Sequence, residues 1–421
     1  MKNYLTHLVC ILVLVLISVT YFYPVLSGKS IQQSDISQFK GMSKQIVDHR
    51  EEFNEEPYWL DNAFLGMPSY QVSAKYPFDV LYYIDQTIRF LPRPADYLFL
   101  YLLSFYFLII SLNINYRYAL FGAMAFGFST YLIIILGVGH NTKALALGYL
   151  PLIVAGFLTV LRGSYLKGFL ISSLFLGLQV HANHYQMTYY TLIMLSIIVL
   201  VHYYSFINLK DFKKIYKSFS VFISIGFLAL LMNAPSLLAT KEYSEFSTRS
   251  KNEITINTDG STKESLNGLD KEYITEYSYG ILESFNLVFP RFMGGGSSER
   301  IREDSKFMDF VRSLDSNQAQ QVYQYSKVYW GDQPIVAAPA YIGVSIFFIF
   351  LMSLLLVNDL NRKWILIAVL VSLLLSWGKN FSFLTDLMID YFPLYDKFRA
   401  VSSIQVIIEF CIPLFAVFGL K

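Results

Sequence analysis

About ten apolar runs of membrane-spanning length divide this sequence, and they constrain its fold more than any other feature. A bilayer core of about 30 Å needs roughly 20 apolar residues in a helix. The candidate spans are 7–26, 98–113, 118–137, 144–161, 168–182, 187–205, 218–238, 335–357, 364–377 and 401–420. Only 15% of the 421 residues are charged, whereas soluble domains have about 25%. The sequence therefore predicts an all-α polytopic membrane protein.

The net charge and the cysteines give no sign of a nucleic-acid-binding protein or of a disulfide-rich protein. A formal net charge of +2 does not indicate a nucleic-acid-binding surface. Cys10 and Cys411 lie in apolar runs, where a thiol behaves as a small hydrophobe, so we expect no disulfide framework. The first run resembles the apolar part of a signal peptide, but it continues through Tyr23 without a clear cleavage site. We interpret it as a retained anchor.

Basic residues in the short connections predict the orientation of the chain. If the N-terminus is cytoplasmic, every strongly basic short connection, including LKDFKKIYK (209–217), lies on the cytoplasmic side. The predicted organisation is a first transmembrane helix (1–26), an extracytoplasmic loop with juxtamembrane helices (27–97), a six-helix transmembrane block (98–239), an extracytoplasmic loop or cap (240–334) and a three-helix transmembrane block (335–421).

The two long loops contain local patterns of their own. Apolar residues recur at helical spacing in two stretches, and such amphipathic helices lie in the plane of the membrane interface. They are Ile36, Phe39, Ile46 and Val47 in 34–53, and Phe78, Leu81, Ile84, Ile88 and Leu91 in 77–91. The second loop contains the glycine-rich turn MGGGSS (293–298), which is either a backbone amide nest for an anion or a flexible turn. We expect a partly ordered cap in this loop.

Several polar stretches fall on the extracytoplasmic face although hundreds of residues separate them in sequence. They are GVGHNTKA (137–144), HANHYQ (181–186), YWGDQP (329–334), WGKN (377–380) and YDKFR (395–399). Their convergence on one membrane face is the main functional signal in the sequence.

Asp35, just beyond the first span, has two interpretations. Ser34 and Asp35 are both good N-cap residues, so Asp35 is either a cap of the amphipathic helix or a carboxylate that acts as a general base.

His140, Asn141 and Lys143 precede an apolar run and are either interfacial snorkelling groups or a phosphate site. A lysine and amide donors at a helix N-terminus combine positive charge with the helix dipole. Arg399 is suited to bidentate phosphate contact, although an ordinary surface charge is the alternative.

His181 and His184 are three residues apart and would share one face of a helix. A zinc site needs at least a third ligand, and none lies nearby in sequence, so polar lining of a cavity is the favoured interpretation. The other residues with a predicted cavity-lining role are Gln38, Asn183, Gln186, Trp330, Asp332, Gln333 and Lys397. For Trp330, a role as an interfacial anchor is the alternative.

Taken together, these motifs resemble the YfhO-like bacterial membrane proteins, in particular the forms found in Bacteroidetes-type bacteria. The resemblance is carried, in order along nearly the whole chain, by Asp35-x-x-Gln38-Phe39, GHNTK (139–143), HANHYQMTYY (181–190), YWGDQPIVAAPAYIG (329–343) and FPLYDKFRAVSS (392–403). The family looks like a branch of the GT-C glycosyltransferases.

The resemblance implies a multi-pass enzyme of the bacterial cytoplasmic (inner) membrane with its N-terminus in the cytoplasm. Such an enzyme takes a sugar from a polyprenyl-phosphate-linked donor and attaches it to an envelope polymer or lipid acceptor. In that superfamily an acidic residue of the first external loop acts at the reaction centre, and Asp35 is the matching position. Some members bind a divalent metal through acidic loop residues, but no acid pair identifies one here.

Members of the family usually continue well past this length, with more spans and often an external domain. This chain ends at Lys421 just after an apolar run, so we expect a fragment or an N-terminal module.

Two alternatives come from other classes. A transporter or flippase of a lipid-linked envelope precursor would also be polytopic, but transporters tend to carry charges at mid-depth and repeated halves. A non-catalytic scaffold for envelope assembly would explain the large external loops but not the convergent His, Asn, Lys and Arg side chains.

Overall fold

The computed structural model describes residues 2–247, 249–250, 256, 260–261 and 268–421, and most of these residues are helical. The only sheet within the described part of the chain pairs β1 (Trp59–Leu60) with β2 (Met67–Pro68) in antiparallel register. The chain is therefore an all-α protein with the apolar helices of a membrane protein, as the sequence predicts at that level.

Eighteen α-helices occur within the described ranges. In chain order they are α1 (Lys2–Tyr21), α2 (Ser34–Phe53), α3 (Val80–Ile88), α4 (Ala95–Ser111), α5 (Tyr116–Gly127), α6 (Thr130–Val138), α7 (Asn141–Leu161), α8 (Tyr165–His181), α9 (Tyr185–Asn208), α10 (Phe212–Met232), α11 (Ala234–Ser244), α12 (Lys271–Thr275), α13 (Lys306–Arg312), α14 (Ser316–Tyr325), α15 (Val344–Leu356), α16 (Leu360–Ser376), α17 (Ser382–Tyr391) and α18 (Val406–Leu420). Short 3₁₀ turns lie at Tyr23–Ser27, Ser69–Gln71, Leu282–Leu287, Gly378–Phe381, Tyr395–Lys397 and Val401–Gln405. The connections between α4 and α10 are short, which is typical of antiparallel neighbours in a bundle.

Five helical segments are long and apolar enough to cross a bilayer by themselves. They are Tyr4–Tyr21, α7, α9, α10 and Val401–Leu420. Two bent pairs, α5 with α6 and α16 with α17, raise the number to seven if each pair counts as one span. Each of the ten predicted runs overlaps at least one helix, but 118–137 is divided between α5 and α6, and 335–357 is helical only over Val344–Leu356. α4 and α8 have 17 residues and α15 has 13, short of the roughly 20 that a crossing needs. Length and composition therefore establish five to seven candidate spans.

The run 118–137, predicted as one continuous span, is broken at Ser129 and Thr130, where α5 and α6 meet at 50°. The Thr130 amide donates to the Tyr341 carbonyl oxygen (3.0 Å), and the Ser129 hydroxyl donates to Glu409. Partners far away in the sequence thus replace the helical hydrogen-bond pattern at this point, which is a common cause of a sharp bend.

Glycine residues let α7 and α8 pack with their backbones close together. A Cβ atom on Gly156 would lie 2.2 Å from Ser172 Oγ, and one on Gly168 would lie 2.7 Å from the backbone nitrogen of Val160. Small residues serve this purpose at helix interfaces in membranes. Because most side chains of α7 are buried, this helix lies at the centre of the bundle and holds its first turn in a fixed position.

Both predicted juxtamembrane helices are present. The helix α2 covers the predicted range 34–53 and buries Ile46. Phe39 and Val47, which were expected on its apolar face, are exposed. The helix therefore packs through a narrower stripe than the sequence pattern predicts.

The helix α3 lies within the second predicted range, 77–91. The Asp79 carboxylate caps it by accepting a hydrogen bond from the Tyr82 amide (3.0 Å), and Leu81 is buried beneath it. Phe78, predicted as part of the apolar face, precedes the helix with a φ of 59° and is 97% exposed. That prediction is wrong because the Asp79 cap starts the helix after Phe78.

Where the structure describes it, the second long loop contains the end of α11 and the short helices α12 to α14, joined by turns and irregular segments. The parts of the predicted cap at 248, 251–255, 257–259 and 262–267 lie outside the described residues. The glycine-rich turn is neither an open anion nest nor a free turn, because its amides are used within the protein. The Gly294, Gly295 and Gly296 amides donate to Arg291 and Val328 carbonyl oxygens and to the Glu299 carboxylate.

Candidate functional site

Asp35 lies in the first turn of α2 and faces the residue that precedes α7. Its Oδ2 atom lies 2.9 Å from Nε2 of His140. Gln33 occupies the N-cap position of α2, and no side chain caps the helix. Asp35 is therefore not the helix cap, which was one of its two interpretations. The Asp35 side chain is 44% exposed, so an external hydroxyl can reach the carboxylate.

A close approach between α2 and the end of α6 places Asp35 against His140. Gly139 has a φ of 91°, and a Cβ atom there would lie only 3.0 Å from Gln33 Cβ and from Ile36 Cγ1. The Gln33 side chain donates to the Leu136 carbonyl oxygen at 2.5 Å. Gly139 is therefore needed both for its left-handed backbone and for the space that the start of α2 occupies.

Lys143 is buried in the first turn of α7, with 8% of its surface exposed. Its Nζ atom donates to Ser403 Oγ (3.1 Å) and lies 5.1 Å from the centre of the Tyr131 ring. A snorkelling lysine would extend to water, so this side chain is not of that kind. Within the described ranges no carboxylate forms an ion pair with Lys143, and a buried cation without a counter-charge is costly.

His140 and His184 lie close enough to Lys143 for its charge to act on both rings. Burial and the charge of Lys143 lower the pKa of His140, although Asp35 opposes that effect. Burial, followed by the charges of Lys143 and His140, lowers the pKa of His184 to about 3. Both shifts favour the neutral imidazole.

Gln186 joins the start of α9 to the segment that contains Arg399. Its amide nitrogen donates to the Arg399 carbonyl oxygen (2.5 Å) and to Tyr190 Oη (2.9 Å). The Arg399 guanidinium donates to Tyr273 Oη (2.7 Å) and lies over that ring. Arg249 donates to the Lys397 carbonyl oxygen in the same segment, and burial and the charge of Arg399 lower the pKa of Arg249. The structure thus links the backbone of Arg399 to the site, while its guanidinium is held by Tyr273.

His181 and His184 do not share a helical face, contrary to the sequence prediction. His181 ends α8, His184 precedes α9, and Asn183 between them adopts a φ of 58°. His181 Nε2 lies 2.8 Å from Asp79 Oδ2. Burial favours the neutral form of Asp79, but hydrogen bonds from His181 and from the Tyr82 amide hold the pKa of that carboxyl below its ordinary value.

Within the part of the chain that the structure describes, no group of three or more His, Cys, Asp and Glu side chains is placed to hold a metal ion. The cysteines, Cys10 and Cys411, are buried and free.

The YWGDQP stretch is organised around Glu283, a buried carboxylate that the sequence analysis did not identify. Glu283 accepts hydrogen bonds from Tyr329 Oη (2.5 Å), Gln333 Nε2 (2.9 Å) and the Gly280 amide (3.1 Å). Gln333 Oε1 in turn accepts from Ser402 Oγ (3.1 Å). Ser403, the residue after Ser402, binds Lys143. Gln333 is therefore connected to the site through a single peptide unit. Glu283 lies in a loop of weak periodicity, and no local pattern marks it.

The remaining predicted cavity-lining residues have less specific surroundings. Trp330 is 72% exposed and donates to the Lys327 carbonyl oxygen. The Asp332 carboxylate accepts from Asn380 (3.2 Å). Gln38 is exposed on α2, and Asn141 is the first residue of α7. Lys397 pairs with Asp396 at 2.7 Å. The buried amide oxygen of Asn183 has no hydrogen-bond partner among the described residues.

Glu409 is a further residue that sequence reasoning missed. It is fully buried in α18, and its Oε2 atom accepts from Ser129, whereas Oε1 finds no hydrogen-bond partner in the described residues. An ionisable side chain inside a membrane span is rare and indicates a functional position. A single Glu leaves the apolar pattern of the run intact, so the pattern gives no warning of it.

Comparisons with family models, with curated proteins and with solved structures found no match to this chain. The site must therefore be interpreted from its own contacts. These connect Asp35 with His140, Lys143 with Ser403, and Gln186 with the Arg399 backbone. The charge of Lys143 also acts on the His140 and His184 rings.

Proposed function

We propose that the protein is a membrane glycosyltransferase that moves a sugar from a polyprenyl-phosphate carrier to an extracytoplasmic cell-envelope acceptor. The observation that carries this proposal is the pairing of Asp35 with His140, three residues before the buried Lys143. A carboxylate able to accept a proton and a cation able to bind a phosphate thus act on the same imidazole. The resemblance to the YfhO-like proteins points to the same chemistry.

In the proposed reaction, an acceptor hydroxyl oxygen forms a bond to the anomeric carbon of the sugar. The bond between that carbon and the carrier phosphate oxygen breaks, and polyprenyl phosphate leaves with the electron pair. The hydroxyl proton passes to the Asp35 carboxylate, which acts as the general base. His140, with its Nε2 proton donated to Asp35, orients that carboxylate.

Lys143 is the residue that we assign to the leaving phosphate. Its ammonium is buried beside a hydroxyl and an aromatic ring rather than a carboxylate. It lies in the first turn of a 21-residue helix, and the dipole of a helix favours an anion at its N-terminus. A phosphate would supply the counter-charge that Lys143 lacks, and stabilising the charge that develops on a leaving group is a major source of catalysis.

Arg399 remains in the proposal as a second cation for the donor phosphate. Gln186 binds its carbonyl oxygen, and Ser403, four residues later, binds Lys143. The segment that carries Arg399 is thus fixed to the site at both ends, and rotation of its side chain away from Tyr273 would turn the guanidinium toward a bound anion.

The finer membrane arrangement also belongs to this proposal. We propose ten spans, a cytoplasmic N-terminus and a location in the bacterial cytoplasmic (inner) membrane. The short helices α4, α8 and α15 would cross where neighbouring helices cover them, and the basic connections support the orientation. With this arrangement Asp35, His140 and Lys143 lie at the extracytoplasmic surface, where a polyprenyl-phosphate sugar presents its anomeric carbon.

Transfer from a labelled donor tests the proposed function. The full chain would be reconstituted in phospholipid nanodiscs with polyprenyl-phosphate hexoses that carry a radiolabelled sugar, and an extract of bacterial envelope would serve as acceptor. We expect release of polyprenyl phosphate together with labelled acceptor, and loss of both with Asp35→Asn. Asp48→Asn, on the same helix but paired with Lys44 at the surface, is the matched control. Absence of transfer with every hexose would contradict the proposal.

A transporter or flippase of a lipid-linked precursor is the second candidate function. The burial of the Glu409 carboxyl group favours it. The side chain is buried within a candidate span, beside the broken pair α5 and α6, and transporters place ionisable groups next to broken helices. Movement of an intact lipid-linked sugar across a vesicle membrane, without release of polyprenyl phosphate, would establish this function in place of transfer.

A further inference from the structure

The helix α17 leaves the end of a candidate membrane helix at a steep angle. α16 has 17 residues, about 26 Å of helix, which falls a few ångströms short of the thickness of a bilayer core. The chain then bends by 112° into Gly378–Tyr391, which includes α17. If α16 runs along the membrane normal, a bend of this size lays α17 close to the membrane plane. The position of α17 at the end of α16 therefore brings it to the interface of the bilayer.

The side chains of α17 form three separate stripes. Residues three or four apart lie on one face of a helix. The first stripe is exposed and apolar, the second is polar and the third is buried. They are Phe383, Leu387 and Tyr391; Ser382, Asp386 and Asp390; and Thr385 with Met388. The three exposed apolar side chains are 72%, 41% and 77% accessible. A helix with one stripe against the protein, one polar and one apolar has the pattern of a helix that lies in a membrane interface.

A second group of exposed aromatic rings lies beside the same end of α16. Phe285, Phe289 and Phe292 have ring centroids 5.5 to 6.4 Å apart, and each ring is close to half exposed. The Trp377 indole nitrogen, at the end of α16, donates to Ser284 Oγ (2.8 Å). That bond fixes the segment with the three Phe rings to the place where α16 ends.

We propose that the exposed stripe of α17 and the Phe285, Phe289 and Phe292 rings bind the lipid leaflet that the C-terminal end of α16 reaches. The occupant is the headgroup and upper acyl-chain region of phospholipids, where aromatic side chains are enriched. Lipid is the favoured occupant because both apolar groups adjoin the end of a candidate membrane helix. The proposal depends on membrane insertion and not on glycosyl transfer.

The charges on α17 exclude a deeper, re-entrant position. Asp386 pairs with Lys271 at 2.5 Å, and Asp390 is exposed on the same polar stripe. Burying these carboxylates in the hydrocarbon core would be costly, whereas at the interface the polar stripe faces water and the apolar stripe faces lipid. The helix therefore lies in the interface plane.

This position has a consequence for the site. The segment after α17 carries Pro393, whose carbonyl oxygen accepts from Tyr189 Oη (2.9 Å), and then Arg399 and Ser403. A helix held at the interface fixes the depth of that segment relative to the lipid surface. The partner of Lys143 thus lies at a defined distance from the headgroups.

Fluorescence quenching in a bilayer tests this proposal. Cys10 and Cys411 would be replaced by alanine in the full chain, and the environment-sensitive dye NBD attached to Leu387→Cys, with Tyr391→Cys as a second reporter and Ser382→Cys as the polar control. The protein is reconstituted into dioleoyl phosphatidylcholine vesicles that contain lipids with a nitroxide near the headgroup or near the chain end. Aqueous iodide is the third quencher.

We expect the headgroup-proximal nitroxide to quench the dyes at 387 and 391 at least about twofold more strongly than the dye at 382. Iodide should show the reverse order. Stronger quenching at 387 and 391 by the chain-end nitroxide would overturn the proposal in favour of a re-entrant helix. Strong quenching by iodide at 387 and 391 would mean that the stripe is open to water. Protection from all three quenchers would mean that protein covers the stripe. Either result would also overturn the proposal. None of these outcomes depends on catalytic activity.

Discussion

At the scale of single residues, Asp35 is the position where the proposed chemistry is tested most directly. The Asp35→Asn variant keeps the size of the side chain and removes the proton acceptor. Since Asp35 does not cap α2, the stability of the helix should change little. General bases contribute roughly a hundred- to ten-thousandfold to rate, so we expect transfer to fall by about that factor while expression and unfolding temperature stay near those of the unmodified protein. Near-normal transfer by Asp35→Asn would remove Asp35 from the active site.

Lys143 should affect donor binding and not only folding. Lys143→Met keeps much of the buried volume and removes the charge, and hydrogen bonds to charged groups contribute about 1.5–3 kcal/mol. We expect the Kd for radiolabelled polyprenyl phosphate in nanodiscs to rise about ten- to a hundredfold. Lys213→Met, an exposed lysine at the start of α10, is the control and should leave the Kd unchanged. Equal, small changes in both variants would return Lys143 to a purely structural role.

The residues that complete the site could not be found from local sequence. Asp35, His140 and Lys143 stand out because polar groups at the ends of apolar runs are unusual. Ser403, in contrast, is an ordinary hydroxyl 260 positions from its partner Lys143, and Glu283 is one acid among many in a long loop. Their roles come from tertiary contacts, which leave no periodic trace in the sequence.

At the scale of elements, a buried ionic group fixes the juxtamembrane helix α3 to the bundle. The Arg89 guanidinium bonds to Asp85 within α3 and to Asp96 in α4, and Asp85 also accepts from Tyr149 Oη of α7 (2.5 Å). The three ionic side chains are at most 7% exposed. Burial lowers the pKa of Arg89, but its bonds to Asp85 outweigh burial and raise it, so the guanidinium stays charged.

Removal of Arg89 should therefore destabilise the protein strongly. Arg89→Ala leaves two buried carboxylates without their cation, and breaking such a group costs about 3–5 kcal/mol. Arg93→Ala is the matched control, because Arg93 lies 3.8 Å from the same Asp96 carboxylate but is 57% exposed, and exposed pairs contribute about 0–1 kcal/mol. Unfolding in detergent micelles measures both. Equal stability losses would mean that Arg89 is not what fixes α3.

Elements were predicted well where one chain segment supplies its own pattern and poorly where a distant partner decides. The bounds of α2 follow from amphipathic spacing between Ser34 and Phe53, and α3 lies within its predicted range. The break before α6 depends on Tyr341 and Glu409, and the separation of His181 from His184 depends on a left-handed Asn183. None of these three causes is visible in the local pattern.

At the scale of the whole molecule, α7 is the element around which the site is built. Its buried length fixes Lys143 in depth, its N-terminus adjoins His140, and α2 reaches that point from the first long loop. The apolar runs of the sequence identify the membrane helices, but they do not say which short helices cross the bilayer, because neighbouring helices can cover part of a helix such as α4 or α15.

The orientation of the bundle can be tested at one helix, independently of the total number of spans. α10 (Phe212–Met232) is long and apolar enough to cross by itself, and the basic residues of LKDFKKIYK at its start should keep that end in the cytoplasm. Residues after α10 should then be extracytoplasmic. We expect a membrane-impermeant maleimide to label Gln320→Cys, exposed on α14, in intact cells.

Lys213→Cys, exposed at the start of α10, should be labelled only after the cells are permeabilised. The two native cysteines are buried, so they should contribute little background. Labelling of position 213 but not 320 in intact cells would reverse the orientation of α10. With α7, α8 and α9 also crossing as proposed, the Asp35–His140 pair would then lie on the cytoplasmic side, where an extracytoplasmic acceptor could not reach it. Labelling of both positions would mean that α10 does not separate them. Transfer at the outer surface requires labelling of position 320 in intact cells and of position 213 only after permeabilisation. The reason is that the donor phosphate, Lys143 and the acceptor hydroxyl must meet on one side of the bilayer.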